Sequence, residues 1–103
     1  MKEWIYMTLA ILMEVCGTTS MKLSAGFTRL IPSVLIFIFY GLAFTMLTLA
    51  LKKLDVSIAY AVWSGLGTAV IAIIGFVVFR EPITLVKVIS LTLIILGVIG
   101  LRI

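Results

Sequence analysis

The chain reads as four long apolar stretches separated by three short polar ones. The first, WIYMTLAILMEVCGTTSM from Trp4 to Met21, holds a single charged side chain, Glu14. The second, SVLIFIFYGLAFTMLTLAL, and the third, IAYAVWSGLGTAVIAIIGFVVF, hold none. The fourth closes the chain, with Lys87 near enough its start to snorkel toward water. Between them lie KLSAGFTRLIP, KKLDVS and REPIT, rich in charge and turn residues. This pattern predicts helices over about 4–21, 33–51, 58–79 and 85–101, each of a length suited to crossing a bilayer. Pro32 falls where a helix start tolerates it. Loops this short force neighbouring helices antiparallel and leave no room for a soluble domain. The expectation is an all-α membrane protein: a single four-helix transmembrane domain over residues 1–103, both termini on one side.

Composition agrees. The chain is 64% hydrophobic and 12% charged, whereas soluble domains are about 25% charged. It is too apolar for disorder. Its basic residues stand singly or as Lys52-Lys53, so there is no nucleic-acid-binding stripe. Cys16 is the one cysteine and histidine is absent; neither a disulfide within the chain nor a metal site is expected, and no cofactor. Cys16 reads as a small buried apolar residue. Lys2 resembles the basic start of a signal peptide, but the Glu and the lack of an A-x-A-like site mark this stretch as the first span.

Charge bears on orientation, which follows the Lys/Arg bias of short loops. Lys2, Lys52, Lys53 and Arg102 fall on the side of the termini, and Lys22, Arg29, Arg80 and Lys87 on the other, four against four. One dominant loop could still fix a single orientation. The balance points instead to dual topology, with copies inserted both ways and paired head to tail. Transporters that alternate access commonly use inverted repeats around a midplane site. Four spans without internal duplication cannot contain such a repeat, and an antiparallel homodimer would supply it.

The chemistry centres on Glu14. It lies about 15 Å along a helix about 27 Å long, close to the middle of a hydrocarbon core roughly 30 Å thick. An acid at that depth costs on the order of 2.5–3.5 kcal/mol, which marks it as functional; the bland alternative is a neutral Glu satisfied by a neighbouring hydroxyl. Steps of three and four place Met7, Ala10, Ile11, Gly17, Thr18 and Met21 on its face. The second helix carries Tyr40, Phe44 and Leu47 on one face; the third carries Tyr60, Trp63, Ser64 and Gly67. Tyr40 and Trp63 lie deeper than the aromatic belt of a span. They are either packing residues, belt residues of a tilted helix, or a cage for an organic cation, each cation–π contact worth about 0.5–2 kcal/mol. Gly65 and Gly67 form a candidate kink. In the fourth helix Ser90, Leu93, Ile94, Gly97 and Leu101 make a heptad-like face with two small positions, suited to helix association. Lys22 reads as an interfacial anchor, Arg80 and Glu81 as a solvated loop pair, and Lys2, Glu3, Lys52, Lys53, Asp55 and Arg102 as interface charges.

EVCGTTSMK (14–22), GFTRLIPS (26–33) and AYAVWSGLG (59–67) together resemble the small multidrug resistance family, nearly end to end. The similarity leans to its EmrE-like, quaternary-ammonium-exporting branch, because the guanidinium-exporting branch typically has Trp where Gly17 stands. The resemblance implies an antiparallel dimer in the bacterial cytoplasmic membrane, in which the membrane Glu binds protons or one cationic substrate. That role falls to Glu14. It makes Tyr60 and Trp63 cage aromatics, Tyr40 a substrate-contacting tyrosine, Gly17 and Thr18 pocket-lining residues, and Gly65 and Gly67 the kink. The family's fourth-helix dimerisation motif usually begins with Gly where this chain has Ser90; Leu93, Ile94 and Gly97 fit it.

The function expected is proton-coupled antiport of lipophilic or quaternary ammonium cations, not enzyme catalysis. Burial disfavours the charged carboxylate, and two such groups in a dimer would exchange protons as a coupled pair. Protons and cation therefore compete for Glu14. The alternative is an exporter of guanidinium or a polyamine, alone or as half of a heteromeric pair; the balanced charge argues against obligate pairing. A proton-conducting or assembly subunit would give Tyr60 and Trp63 no role. Lipid-headgroup flipping does not obviously need a midplane acid.

Overall fold

A computed structural model describes residues 1–102, with side chains through Leu101. It consists of four helices: α1 (Lys2–Leu23), α2 (Leu30–Ala50), α3 (Val56–Val77) and α4 (Leu85–Arg102). The Arg102 side chain, expected among the interface charges, lies outside the described residues, as does Ile103.

The bounds differ from the sequence expectation by a turn or less, for local reasons. α2 starts at Leu30, so Pro32 is its third residue. The first four backbone N–H groups of a helix have no partner within it, so a proline there forfeits no bond. α3 starts two residues early and stops at Val77. Beyond it the chain turns through Arg80, held in the left-handed region at φ 54°. Thr84 then caps α4, its Oγ1 accepting from the Lys87 backbone N–H at 3.2 Å. In the α1–α2 loop Ala25, Gly26 and Phe27 take φ of 49°, 73° and 68° in succession. This tight reversal is closed by Thr28 N–H donating to the buried Ser24 carbonyl at 2.9 Å.

α1, α2 and α3 are each long and apolar enough to cross a membrane, with mean hydropathies of 1.2, 2.2 and 1.8. The apolar part of α4, Leu85–Leu101, is shorter. α1 packs along α2 on one flank and against α3 on the other, and α4 packs against α3. α2 also reaches α3, through Phe44 against Trp63. The Cα extents are 42 × 35 × 17 Å.

Its seam is built from Met7, Ile11 and Val15 at every fourth residue of α1, meeting Ala50 of α2 and Ala59 and Val62 of α3. Ala10, Ala43, Ala50 and Ala59 are completely buried. Small side chains at these crossings let backbones approach closely, which is how helices gain contact where lipid competes for apolar surface. On the far flank a Cβ at Gly65 would lie 2.5 Å from Val98 Cγ2. That glycine brings α4 against α3.

Candidate functional site

α1 carries Glu14 thirteenth in a helix of 22 residues, and the flanking helices converge on it. From α2, the Tyr40 hydroxyl lies within hydrogen-bonding distance of Thr18 Oγ1. Thr18 Oγ1 in turn donates to Glu14 Oε1 at 3.0 Å. With Glu14 ionised the Thr18 proton goes to the carboxylate, which leaves the Tyr40 hydroxyl, also 4.0 Å from Met21 Sδ, to donate to Thr18. The result is a directed relay, Tyr40 to Thr18 to Glu14.

Thr18 is unusual in this. Thr19, Ser20, Ser64 and Thr68 each donate to the carbonyl four residues back, at 2.7–2.8 Å. That is the self-contained solution expected of hydroxyls in membrane helices. Thr18 gives up that bond to hold the acid. Gly17 makes room for the relay: a Cβ there would lie 2.7 Å from two carbons of the Tyr40 ring. The tyrosine can reach Thr18 only because residue 17 has no side chain.

The other oxygen, Glu14 Oε2, faces α3. A Cβ at Gly67 would lie 2.8 Å from it, so the glycine lets the carboxylate seat against the helix. Oε2 is buried and has no hydrogen-bond partner, and neither has the buried indole nitrogen of Trp63. Both residues line one pocket of about 140 Å³, completed by Ser64, Gly67, Thr68 and Ile71. A buried acceptor without a donor costs about 1–3 kcal/mol, more when charged. This oxygen therefore calls for a proton or a positive charge.

Aromatic rings border the same region. Trp63 contacts Tyr60 at 5.7 Å between centroids and Phe44 at 6.2 Å, and Phe44 contacts Tyr40 at 5.7 Å. Four rings from two helices thus form one connected series beside the acid. Tyr60 and Phe44 are exposed on the chain's own surface.

The structure brings together Glu14, Gly17, Thr18, Tyr40, Phe44, Tyr60, Trp63, Ser64 and Gly67. It places Met7 and Ala10 elsewhere, in the packed seam rather than on the walls of the Glu14 pocket. Gly65 faces Val98, and α3 is helical throughout Val56–Val77. Ser90, Leu93, Ile94 and Gly97 lie on the exposed surface of α4.

Two features were not anticipated. Thr68 and Ile71 line the pocket; both follow from Ser64 and Gly67 by a step of four, so helical periodicity would have found them. Glu81 is not paired with Arg80: among the described residues no ion pair joins them. Its carboxylate folds back over Gly75, where a Cβ would lie 2.5 Å from Oε1. There it shares a pocket of about 290 Å³ with Lys22, Thr18 and Thr19. Thr18 thus stands between this loop-side hollow and Glu14.

The family model described as Small Multidrug Resistance protein matches residues 2–94. The chain belongs to the small multidrug resistance family. It is 56% identical over 100 residues to a membrane protein of Bacillus subtilis called YvaE, covering 97% of this chain and 84% of that one. It is 48% identical to the multidrug resistance protein EbrB of the same organism, covering 99% and 87%. To the quaternary ammonium compound-resistance protein QacF of Klebsiella aerogenes it is 46% identical, covering 95% and 89%. Members of this family are membrane transporters, and the apolar helices α1 to α3 agree with that.

Proposed function

We propose that this protein exports lipophilic and quaternary ammonium cations across the bacterial cytoplasmic membrane in exchange for protons, both bound at Glu14. The observation that carries the reading is Glu14 Oε2, buried without a partner in a pocket walled by Trp63. A proton satisfies this oxygen by making it neutral. A cation satisfies it by charge, with the aromatic series adding about 0.5–2 kcal/mol per desolvated contact. The two cannot share the oxygen, so each displaces the other. Such competition is what couples an inward proton gradient to outward movement of the cation.

The single chain offers one wall of a chamber. A second copy, inserted the other way and joined through Ser90, Leu93, Ile94 and Gly97 of α4, would supply the opposite wall and a second Glu14. Gly65 and Gly67 would let α3 bend as the dimer opens to either side. The aromatic walls favour cations without N–H groups over guanidinium, which asks for several acceptors at once. The relatives' names, multidrug and quaternary ammonium resistance, support the same substrate class.

The test is tetraphenylphosphonium affinity measured against pH for the wild type and Glu14→Gln. The wild type should bind more tightly as pH rises, in step with release of protons. The variant should lose both the affinity and its pH dependence. A Glu14→Gln protein that keeps pH-dependent binding would falsify the proposal.

A further inference from the structure

The two ends of the molecule carry equal numbers of basic residues but dispose of them differently. On the loop side, Lys22 shares its pocket with the Glu81 carboxylate. Lys87 Nζ donates to the Pro82 carbonyl at 3.0 Å and lies 6.0 Å from the centre of the Phe76 ring. On the side of the termini, Lys2 from the start of α1 and Lys52 and Lys53 from the α2–α3 loop converge on one pocket of about 210 Å³. Among the described residues none of these three has a carboxylate within 4.0 Å. The pocket's one acid, Glu3, has its Oε2 taken by the Met1 ammonium at 3.0 Å.

The site is built on firm backbone. Lys52 and Lys53 N–H donate to the Leu49 and Ala50 carbonyls at 3.3 and 3.2 Å, so the lysine pair continues the end of α2 as a turn. Ala50 and Met7 are packed in the core close by in sequence. The remaining walls are Tyr6 and Leu49. Three like charges gathered in one hollow repel one another, and an anion would relieve that. The pocket lies where two apolar helices end, with an aliphatic wall and a tyrosine of the kind found at membrane boundaries. That combination suits a phosphodiester anion with an acyl tail beneath it better than a soluble anion.

We propose that Lys2, Lys52 and Lys53 form a binding site for the phosphate of an anionic glycerophospholipid. The site lies on one side of the chain only, so lipid binding distinguishes two ends that charge counting leaves equal.

The experiment compares thermal stability, and lipid retained in native mass spectra, for protein in phosphatidylcholine bilayers with and without phosphatidylglycerol. Lys52→Gln/Lys53→Gln should lose phosphatidylglycerol affinity by about fivefold per lysine, the equivalent of about 1 kcal/mol each. Lys22→Gln/Arg29→Gln removes the same net charge from the other end and should keep it. Lys2→Gln, outside the loop, should give about a fivefold loss even if the loop variant misfolds. Equal losses at both ends would reduce the effect to net charge and overturn the site. So would undiminished affinity in the loop variant or in Lys2→Gln. Equal protection by free glycerol phosphate would reassign the pocket to a soluble ligand and overturn the lipid.

Discussion

The seam around Glu14 and the exposed helix α4 are both made of apolar residues, yet they use their few polar and small positions in opposite ways. On α1, Gly17 and Thr18 serve a side-chain network: the glycine clears space for Tyr40, and the threonine abandons its own helix to bond an acid. On α4, Thr92 bonds inward to the Val88 carbonyl, and a Cβ at Gly97 would meet nothing within 4 Å. A small residue that something nearby requires is explained by the chain itself. One that faces open space needs its reason from outside, and for α4 the proposed reason is a second copy.

That contrast can be broken most severely at Gly97. Gly97→Leu has room within the chain and should leave the four helices intact. Yet it should raise the dimer dissociation constant by about 30-fold or more, as when a contact worth about 2 kcal/mol is lost. Analytical ultracentrifugation in detergent measures this, and unchanged association would remove α4 from the dimer interface.

Gly17→Ala acts on the other side of the comparison. The added methyl would force the Tyr40 ring from Thr18. With overpacking at about 1–3 kcal/mol, cation affinity should fall by about 5- to 150-fold while dimerisation holds. Calorimetric titration with tetraphenylphosphonium decides it, and affinity equal to wild type would mean the ring yields freely.

Tyr40→Phe is the mildest change. It keeps the ring and removes one hydroxyl from the relay, a loss of about 0.5–1.5 kcal/mol. Cation affinity should drop by about 2- to 12-fold, and Thr18→Val should add little on top. Fully additive losses in the double variant would show that the two hydroxyls act separately.

Much of this was legible in the sequence because a bilayer permits few solutions. An uninterrupted apolar run must become a helix that satisfies its own backbone, so the four helices were fixed to within a turn. Pro32 showed the limit: it marks a helix start without saying which of the first residues it occupies. The acid and its ring of aromatics could be read from spacing, since Glu14, Thr18, Tyr60, Trp63 and Ser64 recur at helical intervals. Crossings could not. Met7 and Ala10 share Glu14's face by periodicity, but adjacent helices claim them for the seam. Glu81 is exposed, as a solvated loop residue should be, but nothing in REPIT signals that its carboxylate folds back onto Gly75 of α3. The gap has one cause: periodicity gives a residue's angle on its own helix, not what stands opposite.

One detail of the acid reaches further. Its two oxygens are chemically equal but differently held, Oε1 tied by Thr18 and Oε2 turned to α3. Swapping them by a half-turn of the carboxylate means first breaking that tie, at about 0.5–1.5 kcal/mol. The carboxylate is therefore handed, its unpartnered oxygen turned to one side of the protein. A chain inverted in the membrane keeps the same bias relative to its own helices, because Thr18 and Gly67 set it rather than the bilayer.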